Sequence, residues 1–263
     1  MRDAGKAGRR LQALAEVVGA PQTSFQGNWG ETAMSGSIDK VVIIGAGQAG
    51  AEAAFRLRQG GFTGTITLVG EELEPPYQRP PLSKAYLMGE LPVERLLLKP
   101  ATAYGEENIT LQTGRQAVAI DRVNKRVQMA KGEGLPYDAL ILATGSRART
   151  LPLAGADLPG VHVLRTAGDV AAIRPDFVAG QRVVIIGAGY IGLEVAAVAR
   201  KLGLSVTVLE MAPRPLARVT SPEVSGFFLD YHVKKGVRFE LGVQPAVIKG
   251  GDRVRAIGLA DGR

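Results

Sequence analysis

The chain is 263 residues long, 46% hydrophobic and 22% charged, a globular composition with apolar material for one large core or two ordinary ones. Its 32 basic and 25 acidic residues leave a net charge of +7, which permits an acidic partner without demanding one, and no arginine-rich block interleaved with aromatics marks a nucleic-acid ligand. Cysteine is absent and the two histidines, His162 and His232, lie far apart, so disulfides and a redox-active dithiol are excluded and no metal site is expected.

Residues 1–36 come first. Arg2, Lys6, Arg9 and Arg10 precede an apolar patch at 11–18, without the apolar core of a secretory signal. The expectation is an unstructured extension, or Met34 as the true start. A transit-like helix is the alternative, and Asp3 and Glu16 weigh against it. No apolar run reaches the roughly 18 residues of a membrane helix, so a cytoplasmic location is expected.

The next element sets the architecture, because it occurs twice. VVIIGAG at 41–47 returns at 183–189, followed each time by a glycine (Gly50, Gly192) and a glutamate (Glu52, Glu194) at the same spacing. Four β-branched residues predict a strand buried on both faces. A glycine turn follows, then an alanine-rich helix, at 49–59 and at 191–202. Gly60 and Gly203 are placed to end those helices in the left-handed conformation. A second strand at 65–69 and at 205–209 ends near an acid, Glu71 or Glu210. Strand, turn, helix, strand and acid make a dinucleotide-binding unit. The first glycine allows the tight turn, the second lets backbone approach a pyrophosphate, and the third lets the helix pack closely. Free N–H groups and the positive end of the helix dipole then meet the phosphates. Two such units in one chain imply two dinucleotides and electron transfer between them.

Between the units lies EPPYQRPPLSKAYLMG, too rich in proline for a central strand or helix interior. Pro80 and Pro81 predict an extended approach to a short helix at 82–88 that holds Lys84 on a stiff support. Strands at 116–120 and 125–129, separated by 121–124, predict a hairpin. A strand at 137–143 ends in Ala143, Thr144 and Gly145, small residues that let something approach the backbone. Arg147 and Arg149 mark the crossing to the second unit, and Pro152 and Pro159 punctuate the linker. After the second unit come a helix at 222–235 and strands at 237–241 and 254–259.

GAGQAG from Gly45, RPPLSKAYL from Arg79, ATGSR from Ala143 and GAGYIGLE from Gly187 together resemble the FAD-dependent pyridine nucleotide-disulfide oxidoreductases. Within them, the similarity is to the ferredoxin and rubredoxin reductases of the putidaredoxin-reductase type, from about residue 40 onward. The fold implied is α/β: two Rossmann-like, glutathione-reductase-type three-layer ββα units, the second incomplete. An FAD-binding domain would occupy 37–149 and an NAD(H)-binding domain 150–263. The family continues beyond this point with a last NAD-domain strand, a returning FAD segment whose Gly-Asp pair holds the ribityl chain, and an interface domain. The resemblance therefore implies a chain shortened at its C-terminus.

The resemblance also implies roles. Gly45, Gly47, Ala49 and Gly50 would line the FAD pyrophosphate, with Thr144 and Gly145 in the same site. Glu71, or its neighbour Glu72, would hold the adenosine ribose and Ala117 would meet the adenine. Lys84 would sit beside the flavin ring, and Arg165 would face the flavin site. Gly187, Gly189, Tyr190, Ile191 and Gly192 would surround the NAD(H) phosphates, with Glu210 on the ribose. Glu194 would approach the nicotinamide and pair with Lys84. The activity implied is an FAD-dependent NAD(P)H oxidoreductase passing electrons from NADH through flavin to a ferredoxin or rubredoxin, with no nucleic acid and no membrane as partner. Without cysteines, electrons would leave from the flavin itself. Like charges about 4 Å apart repel by roughly 1 kcal/mol in water and about 4 at an effective dielectric near 20, so Glu210 favours NAD over NADP, with Arg214 and Arg218 close enough to soften the preference. The alternatives are an apoptosis-inducing-factor-like NADH flavoprotein and an inactive dinucleotide-binding remnant.

Overall fold

A computed structural model describes residues 37–263, so the extension expected at 1–36 lies outside the described residues. They form two compact units. The first comprises residues 37–78 with Leu97–Ser146, the second Arg79–Leu96 with Arg147–Arg263. The proline-rich Arg79–Leu96 segment falls in the second of these units. Its contacts there explain this: Arg174 donates to the Tyr86 carbonyl, its guanidinium stacks 4.4 Å from the Tyr86 ring, and Lys201 pairs with Glu90 at 3.0 Å.

In the first unit, strands β1 (Lys40–Ile44), β2 (Thr65–Val69), β3 (Ile109–Gln112) and β7 (Ala139–Leu142) form a parallel sheet in the order β3-β2-β1-β7. Helices α1 (Gln48–Gln59) and α2 (Ala101–Glu106) cover one face. There Val41, Ile43, Ile66 and Leu68 pack with Ala51, Ala54, Phe55, Leu57 and Tyr104. Strands β4 (Ala117–Asp121), β5 (Arg126–Met129) and β6 (Leu135–Pro136) form an antiparallel sheet. It covers the other face, where Val42 and Val69 meet Val127. Alternate residues of β1 thus enter opposite cores, which is why the strand reads as unbroken hydrophobe. The layers are sheet, sheet, helix. The expected hairpin is β4–β5, its turn fixed by Asp121 Oδ1, which accepts from the N–H groups of Val123 and Asn124 at 3.1 and 2.9 Å.

Tyr104 is 1% exposed, its ring 5.1 Å from that of Phe55, and its hydroxyl has no partner among the described residues. Burial pushes the phenol up to about 12. A buried hydroxyl without a partner costs about 1–3 kcal/mol of desolvation. Tyr104→Phe is therefore expected to leave stability unchanged or raise it by about 1 kcal/mol in urea denaturation. A clear loss would mean that the hydroxyl holds a buried water.

In the second unit, helix α3 (Ala167–Ile173) precedes β8 (Arg182–Ile186), α4 (Tyr190–Lys201), β9 (Ser205–Glu210), α5 (Pro222–Lys234) and β10 (Val237–Leu241). The three strands form a parallel sheet in the order β10-β9-β8. Leu193, Ala196 and Ala199 of α4 pack on Val206 and Val208 of β9. An antiparallel hairpin, β11 (Pro245–Gly250) with β12 (Val254–Leu259), is tied to the linker by Ile248 N–H on the Ala154 carbonyl at 2.9 Å. Among the described residues no strand pairs with the outer edge of β8, and Val184 is 43% exposed where its counterpart Val42 is 2%. The second copy of the motif thus lacks the cover that the first copy has. No described helix is long and apolar enough to cross a membrane.

Two local expectations need correcting. Gly60 has φ −75°, and the left-handed residue after α1 is Gly61 at φ 81°, matching Gly203 at 86° in the second copy. Pro80 and Pro81 are not an extended approach. They open a 3-10 turn, Pro80–Ser83, and no α-helix follows at 82–88. Proline suits the first positions of a helical turn, where its missing N–H costs nothing.

Candidate functional site

The two glycine turns have the same anatomy. Gly45 and Gly187 take φ 112° and 106°, values that a side chain rarely tolerates. Each donates its N–H to the end of the second strand at 2.8 Å, Gly45 to Val69 and Gly187 to Leu209. The first glycine therefore locks the turn to the sheet. The third glycine serves the turn more than the strand. A Cβ at Gly50 would lie 2.0 Å from the Gly45 carbonyl oxygen, and one at Gly192 2.1 Å from that of Gly187. The second glycine faces open space in both copies, since a Cβ at Gly47 or Gly189 would meet nothing within 4 Å; the first glycine does so only in the second copy, at Gly187.

Helix capping separates these two helices from α3 and α5, while the six-residue α2, which follows Pro100, has no side-chain cap either. Thr166 and Asp169 form a reciprocal capping box on α3, and the Ser221 side chain caps α5. Helices α1 and α4 begin at Gly47 and Gly189 with no side-chain cap and no acid in the first turn. The first intrahelical bonds are Ala51 to Gly47 and Leu193 to Gly189, both at 3.0 Å. The N–H groups of Gln48, Ala49 and Gly50, and of Tyr190, Ile191 and Gly192, precede those bonds and point out of the helix end. Gln48, Ala49, Tyr190 and Ile191 are exposed. Two uncapped helix ends behind open glycines are a cradle for an anion.

The acids differ between copies. Because Val69 and Leu209 hold equivalent carbonyls, Gly70 takes the place of Glu210 and Glu71 lies one residue further on. A Cβ at Gly70 would lie 2.5 Å from the Ala46 Cβ, so an acid cannot stand at that point in the first unit. Glu71 is exposed, while Glu72 accepts from the Tyr77 hydroxyl. Glu210 braces its own turn: Oε2 accepts from Ala188 N–H at 2.7 Å and Oε1 from Ala212 N–H at 2.8 Å. Thr144 and Gly145 adjoin the first turn, since a Cβ on Gly45 would meet the Ala143 carbonyl oxygen at 2.1 Å and the Thr144 nitrogen at 3.0 Å. What comes close to the small residues after β7 is thus the turn itself. Ala117 opens β4, opposite Met129.

Within the second unit, Lys84 Nζ lies 2.7 Å from Glu194 Oε2 and 3.2 Å from the Pro80 carbonyl oxygen. The side chains are 50% and 31% exposed, so the pair sits at a surface open to a ligand. Its counterpart in the first unit, Glu52, makes an exposed i,i+4 pair with Arg56 at 2.7 Å. The same position carries a solvated pair in one copy and a long-range pair in the other. Arg165 donates its N–H to Asp169 at 2.8 Å, and its carbonyl accepts from Arg79 at 2.7 Å.

Sequence reasoning missed three residues. Ser83, 4% exposed, donates its hydroxyl to the same Glu194 Oε2. Arg58 and Arg200 stand at equal distance past their first glycines and do the same work. Arg58 donates to the carbonyls of Phe62, Gly64, Glu107 and Asn108, all at 2.6–2.8 Å. Arg200 donates to those of Leu204 and Lys235. The signal for the arginines was the repeat itself, since Arg58 and Arg200 fall at matching places inside the two repeated helices.

Two Rossmann-type turns, each opening an uncapped helix, define a dinucleotide-binding fold, and the profile of the pyridine nucleotide-disulphide oxidoreductases matches residues 39–263. The chain belongs to that family. Rhodocoxin reductase of Rhodococcus erythropolis is 51% identical over 223 residues, covering 85% of this chain and 50% of the relative. Putidaredoxin reductase of Pseudomonas putida is 46% identical over 209 residues, covering 78% and 50%. The crystal structure of a covalent putidaredoxin reductase–putidaredoxin complex matches with TM-score 0.82 at 43% identity, over 87% of this chain and 56% of that one. The chain spans about half the length of the curated relatives it matches.

Proposed function

We propose that the chain is the nucleotide-binding part of an FAD-dependent NADH reductase that delivers electrons to a ferredoxin or rubredoxin type iron–sulfur protein in the cytoplasm. The observation that carries this reading is the pair of open, uncapped glycine turns, one at the head of each unit. Both fit a pyrophosphate: open space in front of the second glycine, unpaired N–H donors and no acid to repel the anion. The names of the relatives, reductases of rhodocoxin, putidaredoxin and rubredoxin, supply the acceptor class. This chain has no cysteine, so the dithiol chemistry for which the family is named has no place in it.

FAD would lie on Gly45, Gly47, Ala49 and Gly50, with Glu71 at its ribose, Ala117 at its adenine, and Thr144 and Gly145 in the same site. NADH would lie on Gly187, Gly189, Tyr190, Ile191 and Gly192, with Glu210 at its ribose. When bound, the two cofactors supply two-electron transfer from nicotinamide and single-electron delivery to the acceptor. The chain binds and orients them. Lys84 provides a fixed positive charge to stabilise negative charge that develops near it, and Glu194 keeps that ammonium in place.

The test is a titration of the 263-residue chain with FAD, NADH and NADPH, followed by tryptic protection of each glycine turn. FAD should protect the first turn. NADH should protect the second, and NADPH should bind it at least about tenfold more weakly because Glu210 opposes the added phosphate. An iron–sulfur acceptor reduced only when FAD and NADH are both present supports the full reading. A chain that binds NADH but no FAD is a nucleotide-binding module, and one that binds neither overturns the assignment.

A further inference from the structure

We propose that Ser83 is a positioning residue for the Lys84–Glu194 pair. It rests on the reading of that pair as part of the nicotinamide site. The geometry is local and specific. Ser83 and Lys84 are consecutive at the end of the 3-10 turn, yet they approach Glu194 as two separate donors. Both reach one oxygen, Oε2: the hydroxyl by hydrogen bond, the ammonium at 2.7 Å. Lys84 alone is half exposed and carries four rotatable bonds, and an ion pair in that setting is weak and mobile. Ser83 is 4% exposed, with a short side chain on a turn stiffened by Pro80 and Pro81. A buried hydroxyl on a proline turn has little freedom, so the carboxylate that it holds has little freedom either.

This arrangement assigns the two carboxylate oxygens different duties. Oε2 is committed twice, to Ser83 and to Lys84. A donor arriving on a bound ligand therefore meets Oε1. Lys84 is steadied at its other side by the Pro80 carbonyl, in the same turn. The proline turn thus supplies the ammonium, its carbonyl support and the clamp on its counterion. A serine in front of the lysine makes Glu194 a fixed acceptor in place of a swinging one.

The experiment reads Lys84 directly and needs no turnover. The 263-residue chain is briefly acetylated with acetic anhydride at pH 8 without nucleotide, and the extent at each lysine is measured by mass spectrometry. Lys84 is expressed relative to Lys99 and Lys249 in the same sample. Ser83→Ala is expected to raise relative labelling of Lys84 about two- to fivefold, the range an exposed ion pair commands. Glu194→Gln should raise it at least as much. The double variant should equal Glu194→Gln alone, because Ser83 acts only through that carboxylate. A merely structural serine would alter unfolding without changing labelling at one lysine. Unchanged labelling in Ser83→Ala, or an effect additive with Glu194→Gln, overturns the proposal. NADH titration of the same proteins keeps the two readings apart. A chain that binds no NADH removes the nicotinamide assignment, while the labelling cycle still decides the role of Ser83.

Discussion

Arg58→Ala is expected to destabilise the first unit by about 3–5 kcal/mol. A hydrogen bond from a charged donor contributes about 1.5–3 kcal/mol, and shared donors do not add in full. Arg58 makes four of them to backbone carbonyls that have no strand partner at that point: those of Phe62 and Gly64 entering β2, and of Glu107 and Asn108 entering β3. Removing the guanidinium orphans all four at once, and the partly buried ones lose most. Arg58→Lys keeps the charge but not the fork, so it should recover less than half of the loss. Urea midpoints followed by far-UV circular dichroism check both. A loss under about 1 kcal/mol would mean that water replaces the guanidinium at those carbonyls. Arg200→Ala should show a smaller effect of the same sign, since Arg200 reaches only two carbonyls.

The second large effect separates binding from folding at glycines that look alike in sequence. Gly192→Ala puts a Cβ about where the Gly187 carbonyl oxygen stands, 2.1 Å away, and Gly50→Ala does the same against Gly45 at 2.0 Å. Backbone must move, and a loss of about 3 kcal/mol is expected, at the top of the range for overpacking. Gly47→Ala and Gly189→Ala meet nothing within 4 Å, and their φ values of −95° and −78° suit any residue. Stability should not change. Their methyl groups would stand instead where the pyrophosphate approaches the backbone. Gly189→Ala should weaken NADH at least tenfold, or about 1.4 kcal/mol, with FAD binding unaffected, and Gly47→Ala should do the reverse. Calorimetric titration alongside thermal melts reads both quantities. A Gly189→Ala chain that binds NADH normally would move the nucleotide away from this turn.

The fold was legible where one local pattern carries one structural meaning. Both copies of VVIIGAG became a parallel strand and a glycine turn, and Asp121 to Asn124 became the hairpin turn. Burial was not legible from the same letters. Val42 and Val184 occupy the same place in identical strands, yet only Val42 is covered, because the covering β-sheet comes from residues far along the chain. Gly60 was misread because two adjacent glycines offer the same signal. The second copy, with Leu202 before Gly203, holds the answer. The prolines at 80 and 81 were read by what they forbid, and their preference for the first positions of a helical turn was passed over. At the site, Lys84 and Glu194 were paired through family resemblance, since no periodicity links residues so far apart. Ser83 gave no sign of itself. A serine before a lysine is ordinary until folding brings a carboxylate to both.

The bare ends of α1 and α4 also bear on how long the protein lasts. Any ligand that satisfies those donors binds the native chain and not the unfolded one. At a hundred times its dissociation constant it adds about 2.7 kcal/mol of stability, so the opened fraction exposed to proteases falls about a hundredfold. A chain saturated with such ligands is therefore expected to resist protease longer than the same chain without them.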